Sequence, residues 1–444
     1  MRLFKVQNRI KYENYRPADR KKEITACLTR SGLLFLSVSL LVISAPRSWS
    51  LYPLGLFLFC GLLLWIMEFR YNFVRFIEHW PFVIAPLIYF IVHLLSVIFQ
   101  GGKLLLLENR LMFLLIPLFG LPVFYSGISD KYVISLIKAF LTGITLICAL
   151  ILFRAFYIAF TAYNAELSSV QSLKEVTEIF FFTNLSVFEH PSYLAMKINW
   201  AIILFAYFRS AIIKSHTLRT MILFFLSGMI FLLASKSGIV LWVIIMTCIL
   251  IRNIRKKAVA SAYYFLTVPL FLLLSFIAIT NINRFEDFFN TIKTGLNEEN
   301  TDWKDLDHRT REWYSALQII REKPLAGAGL AGVEQRMVDE FLKHGWEEEA
   351  FHRFNAHNQL LEAQMTFGIA GSISLMAMLG IPFFMRRRTY FPALSKLFIL
   401  LFSFQLVVES MLNRQWGIMF FLLFYFILSK PVLSSDPEEQ QAVS

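Results

Sequence analysis

The sequence predicts an all-α membrane protein of about twelve transmembrane helices, with one large helical extracytoplasmic loop between the ninth and tenth. Three observations carry that fold class. Apolar residues make up 57% of the 444, charged residues only 17%, and phenylalanine alone occurs 46 times, more oil than a water-soluble core can hide. Residues 29–280 and 366–429 consist mostly of apolar stretches close to the length that crosses a bilayer. Basic residues gather in alternate interhelical turns and at the amino end, the asymmetry that orients membrane helices.

In chain order, the spans are expected at 31–46, 50–67, 81–99, 104–125, 132–158, 192–208, 218–234, 238–251, 259–280, 366–385, 393–408 and 415–429. Residues 1–30 carry Arg2, Lys5, Arg9, Lys11, Arg16, Arg20, Lys21, Lys22 and Arg30. That run is too long for a cleaved signal's basic region and lacks a small-residue cleavage site, so it reads as a retained cytoplasmic tail. With the amino end inside, the cytoplasmic turns hold Arg70 and Arg75, then Lys131, then Arg209, Lys214 and Arg219, then Arg252, Arg255, Lys256 and Lys257, then Arg386, Arg387 and Arg388. The short opposite turns hold little besides Arg47, Lys103, Lys236 and Arg414. Both termini, including a tail at 430–444, are therefore expected in the cytoplasm. The net charge of +12 is explained by this placement, which argues against nucleic acid as a partner and leaves membrane lipids as the surroundings.

Cysteine excludes a further class of chemistry. Cys60, Cys148 and Cys248 lie inside apolar spans and Cys27 in the basic tail, so no outer loop has a thiol pair to oxidise or to bind metal. The first outer loop, 45–51, has no acidic residue to hold a metal ion.

Two outer loops are long. Residues 159–191 include Glu166, Glu175, Glu178 and Phe180 to Phe182, a pattern that suits an interfacial helix. Residues 281–365 are the only segment polar and large enough to form a domain. Within it, Arg309 to Glu322 reads as a helix with Trp313, Leu317 and Ile320 on one face, stopped by Pro324 and the glycines after it. A second helix is expected from about Asn358 into the tenth span, interrupted near Gly368. No internal repeat is present, which weighs against a transporter of inverted halves.

Several constellations could carry chemistry. Asp302, Asp305, Asp307 and His308 have donor types that suit a divalent ion, and the same run reads equally as a solvated loop. Gly327, Gly329 and Gly332 spell a dinucleotide-like fingerprint, but a helix and Pro324 precede it where a strand is required, so that reading fails. What remains is a helix stop, or a loop whose N–H groups approach a phosphate. Lys236, Arg414, Lys103 and Arg110 sit at the outer membrane face. Each alone reads as a snorkelling side chain, while several on one face suit a diphosphate, whose developing charge cations stabilise in a site of lowered dielectric. For acid–base work, His357 lies at the membrane-proximal end of the large loop. His308, His344 and His352 share that loop, and chemistry alone excludes none of them.

The order of these residues is familiar. Arg309-x-x-x-Trp313, then Glu322-Lys323-Pro324-Leu325-Ala326-Gly327-Ala328-Gly329, then Ala356-His357-Asn358-Gln359-Leu360 and Phe367-Gly368-Ile369-Ala370-Gly371, resembles the hallmark block of the O-antigen ligase and O-antigen polymerase superfamily. Leu233-Ala234-Ser235-Lys236-Ser237-Gly238 is similar to the family's Ser-Arg-Gly/Ala turn. Glu409-Ser410-Met411-Leu412-Asn413-Arg414-Gln415-Trp416-Gly417 looks like its carboxy-terminal signature, and Glu189-His190-Pro191-Ser192-Tyr193 resembles a subset of its members. The match covers roughly residues 190–428, the earlier spans agreeing only in topology.

The resemblance implies a GT-C-like membrane glycosyltransferase in the bacterial inner membrane, with its active site facing the periplasm. It would catalyse a metal-independent, inverting transfer of a glycan from a polyprenyl-diphosphate carrier to an acceptor hydroxyl, without a cofactor. The acceptor would be lipid A core in a ligase or another glycan in a polymerase. By the same resemblance His357 activates the acceptor, Arg309 and Lys236 bind the diphosphate and Arg414 does so more weakly. Trp313, Asn358 and His190, within the same motifs, and Arg110, at the outer membrane face, are the candidate supporting residues. Lys236 departs from the family's arginine and gives a point charge without a bidentate fork. The rival readings are a transporter or flippase of lipid-linked oligosaccharide and a non-catalytic subunit of a glycan export complex. Intramembrane charge suits the transporter, whereas an outer loop carrying His and Arg together suits it poorly.

Overall fold

The computed structural model describes residues 19–125, 130–165, 178–255, 308–384 and 391–429. Every regular element among them is helical. In order these are α1 (Asp19–Leu41), α2 (Arg47–Met67), α3 (Phe69–Glu78) and α4 (Trp80–Gln100). A 3-10 turn (Leu104–Arg110) then leads into α5 (Met112–Tyr125), followed by α6 (Asp130–Ala165), α7 (Pro191–Phe208), α8 (His216–Leu232) and α9 (Lys236–Arg255). The polar segment contributes α10 (His308–Glu322), α11 (Val333–Lys343) and α12 (Glu347–His352), and α13 (Gln359–Phe384), α14 (Pro392–Val408) and α15 (Gln415–Leu428) follow.

Five of the described helices, α1, α2, α4, α6 and α13, contain stretches long and apolar enough to cross a membrane, and the bent 104–125 pair makes a sixth. The span expected at 259–280, the loop segment 281–307 and the acidic stretch from Glu166 to Thr177 lie outside the described residues. α1 begins at Asp19, so helix reaches well into the segment read as a basic tail. The expected 104–125 span is broken, its two parts meeting at 59°. Pro117 has no N–H to give, and the backbone around it loosens into a π-turn over Ile116–Gly120. The Leu118 carbonyl there accepts the Trp65 indole N–H.

The core of the bundle is α7 and α15. Almost every residue of both is buried, as expected of helices apolar all round. Trp200 is tilted against Phe398 at 5.1 Å and meets Phe424 edge-on at 5.6 Å, locking α7 to α14 and α15. A second, smaller core belongs to the polar segment. Ala316, Ile319, Met337, Phe341 and Trp346 meet there, with Met365 of α13 joining from the membrane side.

The glycine-rich segment has a structural task. The Ala328 N–H donates to Met365 O at 2.7 Å and the Gly329 N–H to Thr366 O at 2.9 Å, while Leu330 N–H reaches Ser96 Oγ at 3.0 Å. These carbonyls are free because α13 kinks at Gly368 (φ +63°), where a Cβ would lie 2.1 Å from Leu325 O. The phosphate reading of this loop is therefore overturned, since its N–H groups are spent on α13 and α4. The interruption near Gly368 is where the sequence put it. The face of α10 is not. Glu312, Ser315, Ala316 and Ile319 are buried, whereas Leu317 is 44% exposed. The helical period was right and its phase wrong, because a carboxylate, Glu312, belongs to the inner face.

Candidate active site

α10 and the segment before α13 converge on the short 3-10 connection after α14, and the contact places three charged side chains around His357. The His357 backbone is left-handed (φ +41°), a conformation that costs a residue with a Cβ and is held here from both sides. Its N–H donates to Asn355 Oδ1 at 2.8 Å. Asn358 follows and caps α13, its Oδ1 accepting the N–H groups of Leu360 (3.0 Å) and Leu361 (3.2 Å). Asn358 thus aims the histidine by fixing the helix start.

The His357 imidazole is held between two carboxylates. Nδ1 lies 3.3 Å from Glu409 Oε2, and Nε2 lies 3.9 Å from Glu312 Oε1. Donation from Nδ1–H to Glu409 leaves Nε2 as the basic nitrogen. Arg309 braces the far side of Glu409, with Nη2 at 3.4 Å from Oε1 and Nη1 donating to Val408 O at 2.8 Å. Arg309 and Glu312 are three residues apart on α10 and so share a face. Trp313 sits one turn beyond Arg309 on the same helix, half-buried.

Burial pushes the His357 imidazole down, but the hydrogen bond with Glu409 and the charges of Glu312 and Glu409 outweigh it, so its pKa is raised. Burial pushes Glu409 up, and the hydrogen bond and charge of His357, helped by Arg309 and His190, bring it below its ordinary value. A raised imidazole stabilises the fold fully below its ordinary 6.5 and loses that contribution as pH rises through the raised value. A depressed carboxylate contributes fully above its ordinary 4.5 and loses it as pH falls through the depressed value. The pair therefore stabilises most between 4.5 and 6.5.

His190 belongs to the same cluster. It is the N-cap of α7, its Nδ1 accepting the Ser192 N–H at 3.3 Å. Burial is the main cause of its lowered pKa, with His357, Arg309 and Arg414 adding to it and Glu409 opposing. Arg110 ends the 3-10 turn, half-buried, and interacts electrostatically with Glu362 and Arg414. Glu362 in turn accepts the Ala356 N–H at 3.4 Å, directly behind His357. Arg414 is exposed at the start of α15.

Lys236 begins α9, exposed, after a left-handed Ala234 (φ +46°). Buried polar groups fix its turn. Ser235 Oγ donates to Ser192 Oγ at 3.4 Å, Gln405 Nε2 donates to Ser237 Oγ at 2.9 Å, and Asn199 Nδ2 donates to Gly238 O at 2.8 Å. The turn is thereby tied to the His190–Ser192 segment.

The other loop histidines are committed elsewhere. His308 pairs with Glu349 at 2.8 Å, a carboxylate shared with Arg311. His344 stacks on Trp346 at 4.9 Å, and His352 stacks on Phe354 at 5.4 Å. Two members of the cluster, Glu409 and Glu312, escaped the sequence reading as site residues. A carboxylate closing an apolar helix, as Glu409 closes α14, was the available signal for the first.

Together these observations define a multi-pass membrane protein, helical throughout its described regular elements, carrying a histidine clasped by carboxylates amid arginines. The family model for O-antigen ligase matches residues 221–376, which supports the O-antigen ligase and polymerase superfamily and, in general terms, a membrane enzyme that transfers glycans. The matched segment contains Lys236, Arg309, Trp313, His357 and Asn358. No curated protein matches the chain.

Proposed function

We propose that the protein transfers a glycan from a polyprenyl-diphosphate carrier to an acceptor hydroxyl, with inversion and without a metal ion, on the periplasmic face of the bacterial inner membrane. The observation that carries this reading is the position of His357 between Glu409 and Glu312. The acceptor hydroxyl attacks the anomeric carbon, its proton passes to His357 Nε2, and the bond to the diphosphate breaks on the opposite face of the sugar. The imidazolium that forms gains from both carboxylates. Arg309, Lys236 and Arg414, with Arg110 behind them, meet the charge that develops on the leaving diphosphate. His190 and Trp313 shape the space around the sugar. Ligation to lipid A core and polymerisation of repeat units share this chemistry, and the ligase reading is favoured.

Reconstitution of the purified chain in liposomes with a labelled polyprenyl-diphosphate glycan tests the proposal. Transfer releases free polyprenyl diphosphate. Intact donor crossing the bilayer without release would make the protein a flippase instead. In the same assay Lys236→Gln is expected to lower kcat/KM for the donor roughly tenfold, the scale of losing one charge-assisted contact. Donor kinetics matching wild type would remove Lys236 from the diphosphate site.

The pH profile probes the carboxylate. A base must be neutral to accept a proton, so activity rises as pH climbs through the raised His357 value. Glu409→Gln keeps an acceptor for Nδ1–H but deletes the negative charge, leaving burial to dominate. The acidic limb is expected to move to lower pH while the plateau falls roughly tenfold to a hundredfold, part of the usual contribution of a general base. A plateau loss with an unmoved limb would show that Glu409 only supports the fold.

A further inference from the structure

Far from His357, a cleft of about 720 Å³ opens between the start of α1, the corner where α2 hands over to α3, and Tyr132 of α6. α1 connects the two ends of the molecule. Its 23 residues span about 35 Å, and the turn after them offers Ile43 O to Lys197 beside the His190 segment.

The lining has two characters. Lys21, Lys22, Arg30 and Arg70 supply four cations against one carboxylate, Glu68, which already accepts the Thr25 hydroxyl at 3.3 Å. Thr29 and the Tyr71 ring face the same space. The other wall is apolar, made by Leu33, Ile66 and Phe69. From Phe69 an outward stripe continues along α3 through Phe73 and Ile77, one turn apart, all three between 47% and 61% exposed. A short helix with an exposed apolar stripe and basic neighbours lies in a membrane interface. These cations, which also suit the orientation of the neighbouring helices, line a concavity that opens onto that stripe.

We propose that this cleft binds the headgroup of an anionic phospholipid, the phosphodiester among Lys21, Lys22, Arg30 and Arg70 and the acyl chains along the stripe of α3. A free phosphate would use the cations and ignore the stripe, and a zwitterionic headgroup would bring a fifth cation into a cleft that already holds four. The site is independent of the transfer reaction, since none of its residues is assigned to the donor or to the acceptor.

The test is native mass spectrometry of the full chain released from micelles containing equal phosphatidylglycerol and phosphatidylcholine. Wild type is expected to retain phosphatidylglycerol with a preference of at least about tenfold, since each basic side chain near an anionic headgroup adds to its retention. Lys21→Gln, Lys22→Gln, Arg30→Gln and Arg70→Gln combined should abolish the preference, and His357→Ala should leave it intact. Arg30→Gln with Arg70→Gln, the milder variant, must reduce it without moving the thermal midpoint in detergent. Equal retention of the two lipids by wild type, an undiminished preference in either variant, or displacement of the lipid by equimolar glycerol phosphate overturns the assignment.

Discussion

Replacing His357 with alanine is expected to lower turnover of the lipid-linked donor by roughly 10²- to 10⁴-fold, the usual contribution of a positioned general base. The expectation rests on geometry more than on residue type. Five described histidines lie in or beside the polar segment, and His357 is the one with a carboxylate at each ring nitrogen. Its substitution should spare the fold. The left-handed backbone at 357 is strained for any residue with a Cβ, so alanine inherits the strain without adding to it. The α13 cap is made by Asn358, which the substitution leaves in place. Two readouts separate the roles: the thermal unfolding midpoint in detergent should fall at pH 4.5–6.5, where the His357–Glu409 pair stabilises most, and fall less above the raised His357 value, whereas donor binding by the turnover-deficient variant should persist, because the diphosphate is assigned to Arg309, Lys236 and Arg414. A purified His357→Ala protein with wild-type turnover would remove the base from the proposed mechanism and leave the match to the O-antigen ligase family model untouched.

Much of this arrangement was legible in the sequence, and the gaps have physical causes. Helix extents were readable where bilayer thickness dictates them, as in α2, α4 and α14, whose observed bounds fall within about three residues of those expected. They failed where a local defect intervenes. The 104–125 span has the composition of a helix, but Pro117 and Pro122 make its backbone bend. His357 and Arg309 were legible through a motif, whereas Glu409, 52 residues after His357, becomes part of the site only when α14 lies beside α13. Gly327 and Gly329 announced a turn, yet Gly327 approaches the α13 kink and Gly329 the Gln100 side chain of α4, neither of which a local pattern near 327 encodes. The ion pair beneath the site was readable in part. Lys197 stands in the middle of an apolar span, and Glu189 stands two helical turns before it.

That ion pair sets the largest expected effect on stability. Lys197 is fully buried and its Nζ lies 2.6 Å from Glu189 Oε2, with the Glu189 side chain 2% exposed. Nζ also donates to Ile43 O at 3.2 Å and lies 5.9 Å from the centre of the Phe420 ring. One ammonium thus joins α7 to the turn after α1 and packs against α15. Glu189 is held in the loop before α7, where its carbonyl accepts the Ser186 hydroxyl at 2.6 Å, and it directly precedes His190. Lys197→Met preserves the stem and deletes the charge, so Glu189 is left buried and uncompensated. Such a deletion costs about 3–5 kcal/mol, a loss measurable as a fall in unfolding free energy in detergent. Lys197→Met with Glu189→Gln should recover most of that loss, since neither partner then carries a buried charge. The double variant separates stability from function. With the fold restored, any remaining fall in donor turnover reports on the ion pair's hold over His190 and the Ser192–Ser235 contact behind Lys236. A single variant within about 1 kcal/mol of wild type, the ordinary range for a point substitution, would show that the pair is not a buried charge in the working protein.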